Sequence, residues 1–115
     1  MHKFMNSASP YLCEITLDVE RVFGSEDVEK FESSVERGVA VFGHTPNLLV
    51  LADGIYKEWE SICNLLSVLH TGKVAVCGGS LTNNQIEMMK ESNVNILLKN
   101  FEKPQEVEAR NWLIT

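Results

Sequence analysis

Leu48-Leu49-Val50-Leu51-Ala52 is apolar without interruption and stops at Asp53-Gly54. A strand with one wet face would alternate, so an unbroken run reads as an interior parallel strand covered by helices on both sides. Upstream, Gly43-His44-Thr45-Pro46 is a break, and before it Val28, Phe31, Val35, Val39 and Phe42 recur at helical spacing. Ser25 caps this predicted helix, and Glu26 and Asp27 stand in its first turn, where carboxylates meet orphan amides. Earlier still, Tyr11, Cys13, Ile15, Leu17 and Val19 share one face of an alternating strand, with Glu14, Thr16, Asp18 and Glu20 on the other.

Downstream, Trp59, Ile62, Leu66 and Leu69 mark a second helix that Gly72 stops. Lys73 to Cys77 is a strand ending at Gly78-Gly79, and Thr82 with Gln85 forms the capping box of a third helix that stops near Asn93. Val94 to Leu98 is the next strand. Pro104 opens a short helix that continues to Asn111, and Trp112-Leu113-Ile114 adds an edge strand. Such alternation specifies an α/β fold over residues 1–115 as a single domain, with residues 1–10 as a short N-terminal extension. The expected architecture has three layers: a mainly parallel sheet of about five strands with helices on both faces.

Composition narrows the function classes. The chain has 115 residues, 44% hydrophobic and 23% charged, the balance of a packed globular domain. A net charge of −6 with no basic cluster disfavours nucleic acid and anionic lipid as partners. No apolar run is long enough to span a bilayer, and Met1 to Pro10 lacks the apolar core of a signal peptide, so a cytoplasmic location is expected. Cys13, Cys63 and Cys77 form no C-x-x-C and cannot all pair within one chain. No His or Cys recurs at metal-ligand spacing, and neither a metal nor a cofactor is expected.

Ligand crevices of open α/β sheets lie outside the carboxyl ends of the strands, which directs attention to Asp53-Gly54, Cys77-Gly78-Gly79-Ser80 and Lys99-Asn100. Cys77 ends a strand and precedes two glycines and the start of a helix, whose amides would favour a thiolate. The alternative for Cys77 is a small buried hydrophobe, the reading that also suits Cys13 and Cys63. Asp53 is a candidate phospho-acceptor or metal ligand, or a turn aspartate before glycine. His44 is a candidate proton donor, or a helix C-terminal histidine that meets the dipole.

Three stretches together resemble the DsrE/DsrF/DsrH-like sulfur-relay family: Val35 to His44, ending in Gly-His; Asp53-Gly-Ile-Tyr56; and Lys73-Val-Ala-Val-Cys77-Gly-Gly-Ser-Leu81. The likeness runs from the first strand to Trp112-Leu-Ile-Thr115, and the chain departs from it in having Asn84-Gln85 where many members have Arg-Gly. The resemblance implies a persulfide carrier and sulfurtransferase or sulfur-relay subunit. Cys77 would then accept sulfur from a donor protein and deliver it to an acceptor, with Asp53, Gly54, Tyr56, Gly78, Gly79, Ser80 and His44 as site neighbours. It also implies a homo-oligomer, a trimer foremost, or assembly with related subunits. Ile55, Tyr56 and Trp59 would supply an apolar rim for such contacts.

Three other readings compete, the first two from the non-catalytic interaction class. A degenerate receiver domain would use Asp53, Ser80 and Lys99, but the acidic pair after its first strand is absent. A domain of the anti-sigma-antagonist type has a similar order of elements if a second strand precedes the first helix, read here at Val19 to Phe23. It implies a phosphorylatable Ser or Thr at the second helix start, where this chain has Ile55-Tyr56-Lys57. A Toprim-like nuclease or primase fragment fails at its metal-binding pair, which would fall on Asn100 and Glu102.

Overall fold

The computed structural model describes residues 2–8, 11–57, 59–66, 69 and 72–115. In chain order the elements are β1 (Lys3–Ala8), β2 (Tyr11–Leu17), α1 (Ser25–Phe42), β3 (Asn47–Ile55), α2 (Trp59–Leu66), β4 (Gly72–Gly79), α3 (Asn83–Ser92), β5 (Ile96–Phe101) and α4 (Glu106–Ile114). The sheet has five strands in the order β1-β2-β3-β4-β5, with β1 antiparallel to β2 and every later pair parallel. Leu48 to Ala52 lies in the middle strand, with Leu48, Leu49 and Val50 fully buried.

Because each parallel crossover steps one strand in the same direction, right-handed connections place α1, α2 and α3 on one face. Phe31 and Val35 of α1, Trp59, Ile62 and Leu66 of α2 and Met89 of α3 accordingly pack with Cys13, Ile15, Leu48, Val50, Val74 and Val76. The opposite face carries a smaller cluster in which Leu12, Leu49, Ala75, Cys77 and Phe101 meet Ala109 and Leu113 of α4. This is the three-layer arrangement, with α4 as the third layer.

Several elements differ from the sequence reading. The segment taken as an N-terminal extension supplies β1, held down by His2, which is buried with its ring 5.0 Å from that of Phe23. His2 Nδ1 accepts the Asp18 N–H at 3.0 Å, so its Nε2 proton faces the Val22 carbonyl 3.2 Å away. Trp112-Leu113-Ile114 is the last turn of α4 rather than a strand. Leu113 follows Ala109 at helical spacing into the core, and the carbonyls of Trp112 and Leu113 accept from Lys73 Nζ (3.1 Å) and Asn47 Nδ2 (2.7 Å). Gly24, not Ser25, is the N-cap of α1, and Asp27 reaches back to accept its N–H at 3.0 Å. Val39 and Phe42 stay substantially exposed, because the buried stripe of α1 follows Phe31, Ser34, Val35 and Gly38. Thr82 and Gln85 do form the capping box of α3.

Glu14, which alternation places on an outward face, is buried, and its carboxylate pairs with Arg110 of α4. Arg110 also holds Glu106 one turn back, at 3.2 Å. Arg110→Ala would strand a buried carboxylate. Since the guanidinium is 36% exposed, the expected loss is about 2–3 kcal/mol, toward the lower end for a broken buried pair. Urea unfolding should show that loss, while Glu14→Leu with Arg110→Met should come back close to wild type.

Candidate functional site

The carboxyl ends of β3, β4 and β5 enclose a crevice of about 400 Å³, lined by Ala52, Gly54, Gly78 to Leu81 and Asn100 to Lys103. Two glycines shape its floor. Gly78 and Gly79 have φ of 85° and 79°, and Ser80 continues in the left-handed region at 53°. A Cβ at Gly78 would run into the Ala52 carbonyl oxygen, and one at Gly79 into the Trp59 ring. The Gly79 carbonyl accepts from Trp59 Nε1 at 3.3 Å and from the Tyr56 amide at 3.4 Å. Packing of β3 and α2 against β4 therefore accounts for the Gly-Gly pair.

Cys77 lies beside the crevice with its side chain on the α4 face, only 2% exposed. Its thiol donates toward the carbonyls of Glu102 and Lys103, at 3.3 and 3.5 Å. The groups around the sulfur are thus carbonyl oxygens from the approach to α4, whereas Met89 of α3 packs on the other face of the sheet. Burial raises the Cys77 pKa, the Glu106 carboxylate raises it further, and Arg110 and Lys103 only partly offset them. This environment holds the thiol rather than the thiolate, the opposite of the effect expected from nearby helix amides.

The other candidates are distributed unevenly. Asp53 is exposed at the crevice rim and pairs with Lys103 at 2.5 Å, a solvent-screened contact of small energetic weight. Gly54, with φ of 112°, lies in the register irregularity between Ala52 and Ile55, so β3 runs on to Ile55 instead of stopping at Asp53-Gly54. Tyr56 is an internal residue, 2% exposed, its ring edge-on to Trp59 at 5.2 Å. Trp59 is 1% exposed, so the apolar rim expected from Ile55, Tyr56 and Trp59 reduces to Ile55. Asn100 commits its amide to the Val76 carbonyl at 3.0 Å. His44 precedes β3, at the opposite end of the nine-residue strand from Asp53, and is not brought to the crevice.

Among the described residues no group of three or more His, Cys, Asp or Glu side chains could hold a metal ion, and no helix is long and apolar enough to cross a membrane. Cys13, Cys63 and Cys77 are all unpaired and buried. The Glu14–Arg110 pair is the polar feature that sequence reasoning missed, since the partners are 96 residues apart and only the Glu106–Arg110 spacing on α4 hinted at it. No protein-family model matches the chain, and no curated protein or solved structure matches it.

Proposed function

We propose that this chain is a non-catalytic protein-interaction domain of the cytoplasm in which Cys77 is a structural residue. The observation that carries this reading is the state of the Cys77 thiol, which is buried and engaged with two main-chain carbonyls. A sulfur carrier needs an accessible thiolate, and its attack requires that the sulfur be reached by a partner's persulfide. The crevice beside it is lined by glycine backbone, Ser80, Glu102, the Lys103 that pairs with Asp53 at the rim, and an Asn100 amide already in use.

Topology lends the interaction class a second support. The anti-sigma-antagonist reading asks for two strands before the first helix, and β1 and β2 are two such strands, although they lie at Lys3–Ala8 and Tyr11–Leu17 rather than at Val19 to Phe23. That reading's phosphorylatable Ser or Thr is missing at Ile55-Tyr56-Lys57, just ahead of α2, so no Ser or Thr switch operates at those positions. Three unpaired thiols suit a reducing compartment.

Native-state alkylation at neutral pH tests this directly. Cys77 is expected to react far more slowly than the same thiol in urea, and a low-molecular-weight persulfide donor should add no sulfur to the folded chain. Cys77→Ala should keep the fold. Rapid labelling of Cys77 in the native protein, with one sulfur added to wild type and none to Cys77→Ala, would instead establish the sulfur-relay activity.

A further inference from the structure

Among the described residues β1 is the first strand of the sheet and pairs only with β2, so its outer edge presents unpaired main-chain groups along Lys3–Ala8. Lys3 is the one charge on that strand, and Met5 is 57% exposed. Beside this edge runs a groove of about 1270 Å³ whose other wall is α1. An open edge flanked by a helix is a ready template for strand addition. What selects the added strand is the charge pattern of the helix wall.

Glu29, Lys30, Ser33, Glu36 and Arg37 form one exposed stripe on α1 and line the groove. Their order is self-complementary. A two-fold axis through Ser33 sets Glu29 opposite Arg37 of a second copy and Lys30 opposite Glu36, each pair occurring twice by symmetry. Within one chain the stripe's charges are engaged only lightly: Lys30 approaches Glu26 at 3.8 Å, and Arg37 donates to the Ser34 hydroxyl at 3.3 Å. Such exposed contacts exchange at little cost.

The strand carries the same axis. Asn6 Nδ2 donates to the Ser34 carbonyl at 3.2 Å, and at the other end of the groove the His2 ring packs at a tilt against Phe23, just ahead of α1. Helix and strand therefore run side by side, and the middle of the charge stripe is level with the middle of β1. An axis perpendicular to the sheet at that level makes β1 antiparallel to its symmetry mate and brings the two α1 helices together on one face. Lys3 then lies well away from its own copy, and Met5 is covered.

We infer that two copies of this chain associate through β1 and α1 into a two-fold dimer with one continuous sheet. This goes beyond the proposed function, for it specifies self-association whatever the heterologous partner is. A six-residue strand and about three turns of helix on each side are the scale of a standard interface, roughly 20 residues per partner.

Sedimentation of wild type and of two charge-reversal variants provides the test. Wild type should be dimeric at micromolar concentration. Lys30→Glu and Glu36→Lys each place like charges face to face twice, and each should weaken the dimer about tenfold or more. Mixed together, the two variants should recover a heterodimer of wild-type affinity, because every reversed charge then meets its opposite. Both substitutions are exposed, and circular dichroism of each variant reports its fold. A second measurement needs no variant: amide exchange across residues 3–8 should slow as protein concentration rises. A monomer throughout, a trimer, a dimer indifferent to both reversals, or an unrelated peptide occupying the β1 edge of a monomeric chain would each overturn the inference.

Discussion

Gly78→Ala is expected to cost about 4 kcal/mol, because a left-handed backbone that alanine resists coincides with a steric collision it cannot escape. The φ of 85° carries the first contribution. The second arises because the new Cβ would enter the carbonyl oxygen of Ala52, a main-chain atom of the central strand β3 that has no rotamer by which to withdraw. Gly43 provides the control. Its φ of 79° is similar, but the space around its missing Cβ is open, so Gly43→Ala should lose only about 1 kcal/mol. Urea midpoints at constant m-value measure both losses. Equal losses at the two positions would mean that backbone conformation alone accounts for Gly78, and that β3 yields at Ala52. Against a total stability of 5–15 kcal/mol, typical of domains in general, a loss of this size leaves Gly78→Ala marginal.

This packing also shows why a plausible catalytic motif can be structural. In the sequence, Cys77-Gly78-Gly79-Ser80 before a capped helix has the ingredients of an activated thiol. Alternation along β4 sets the face the sulfur takes, but what lies over that face depends on α4, whose residues follow Cys77 by roughly thirty positions. Local spacing carries no information about that contact. The same helix explains Glu14: alternation assigns its face correctly, but the face is wet only if nothing covers it, and Arg110 arrives from the far end of the chain.

What was legible followed from short-range rules. The doubly apolar run at Leu48 to Ala52, the Thr82–Gln85 capping box and the Gly43 helix stop each act within a few residues, and each lies where its spacing put it. The N-terminal strand was harder to see. Lys3 to Ala8 lacks β-branched residues and clean alternation, and its register comes from pairing with Tyr11–Leu17 and from the buried ring of His2. Trp112-Leu113-Ile114 reads equally as strand or helix over so short a run, and the cap that Lys73 and Asn47 supply decides for helix.

Cys13 should make the fold sensitive to alkali. It is fully buried between the sheet and α1, and burial, helped by the neighbouring Glu14 carboxylate, pushes its pKa from 9.0 to about 12. A thiol whose pKa is raised on folding contributes stability that is intact below the unfolded value, since both states then hold the proton. Above pH 9 the unfolded chain releases its proton while the folded chain keeps it, so the stability of the fold falls with rising pH until Cys13 itself ionises near pH 12. At about 1.4 kcal/mol per pH unit the loss across that window is roughly 4 kcal/mol. Lysines and tyrosines titrate in the same range, so the diagnostic quantity is a difference in slope. In urea unfolding between pH 8 and pH 11, Cys13→Ala should begin less stable than wild type, by about 1–2 kcal/mol for the lost sulfur, and then decline more slowly. The two stability curves should converge and cross before pH 12. Parallel curves would show that the Cys13 proton is released equally from folded and unfolded chains, and that the sulfur is wetter than its position between β2 and α1 implies.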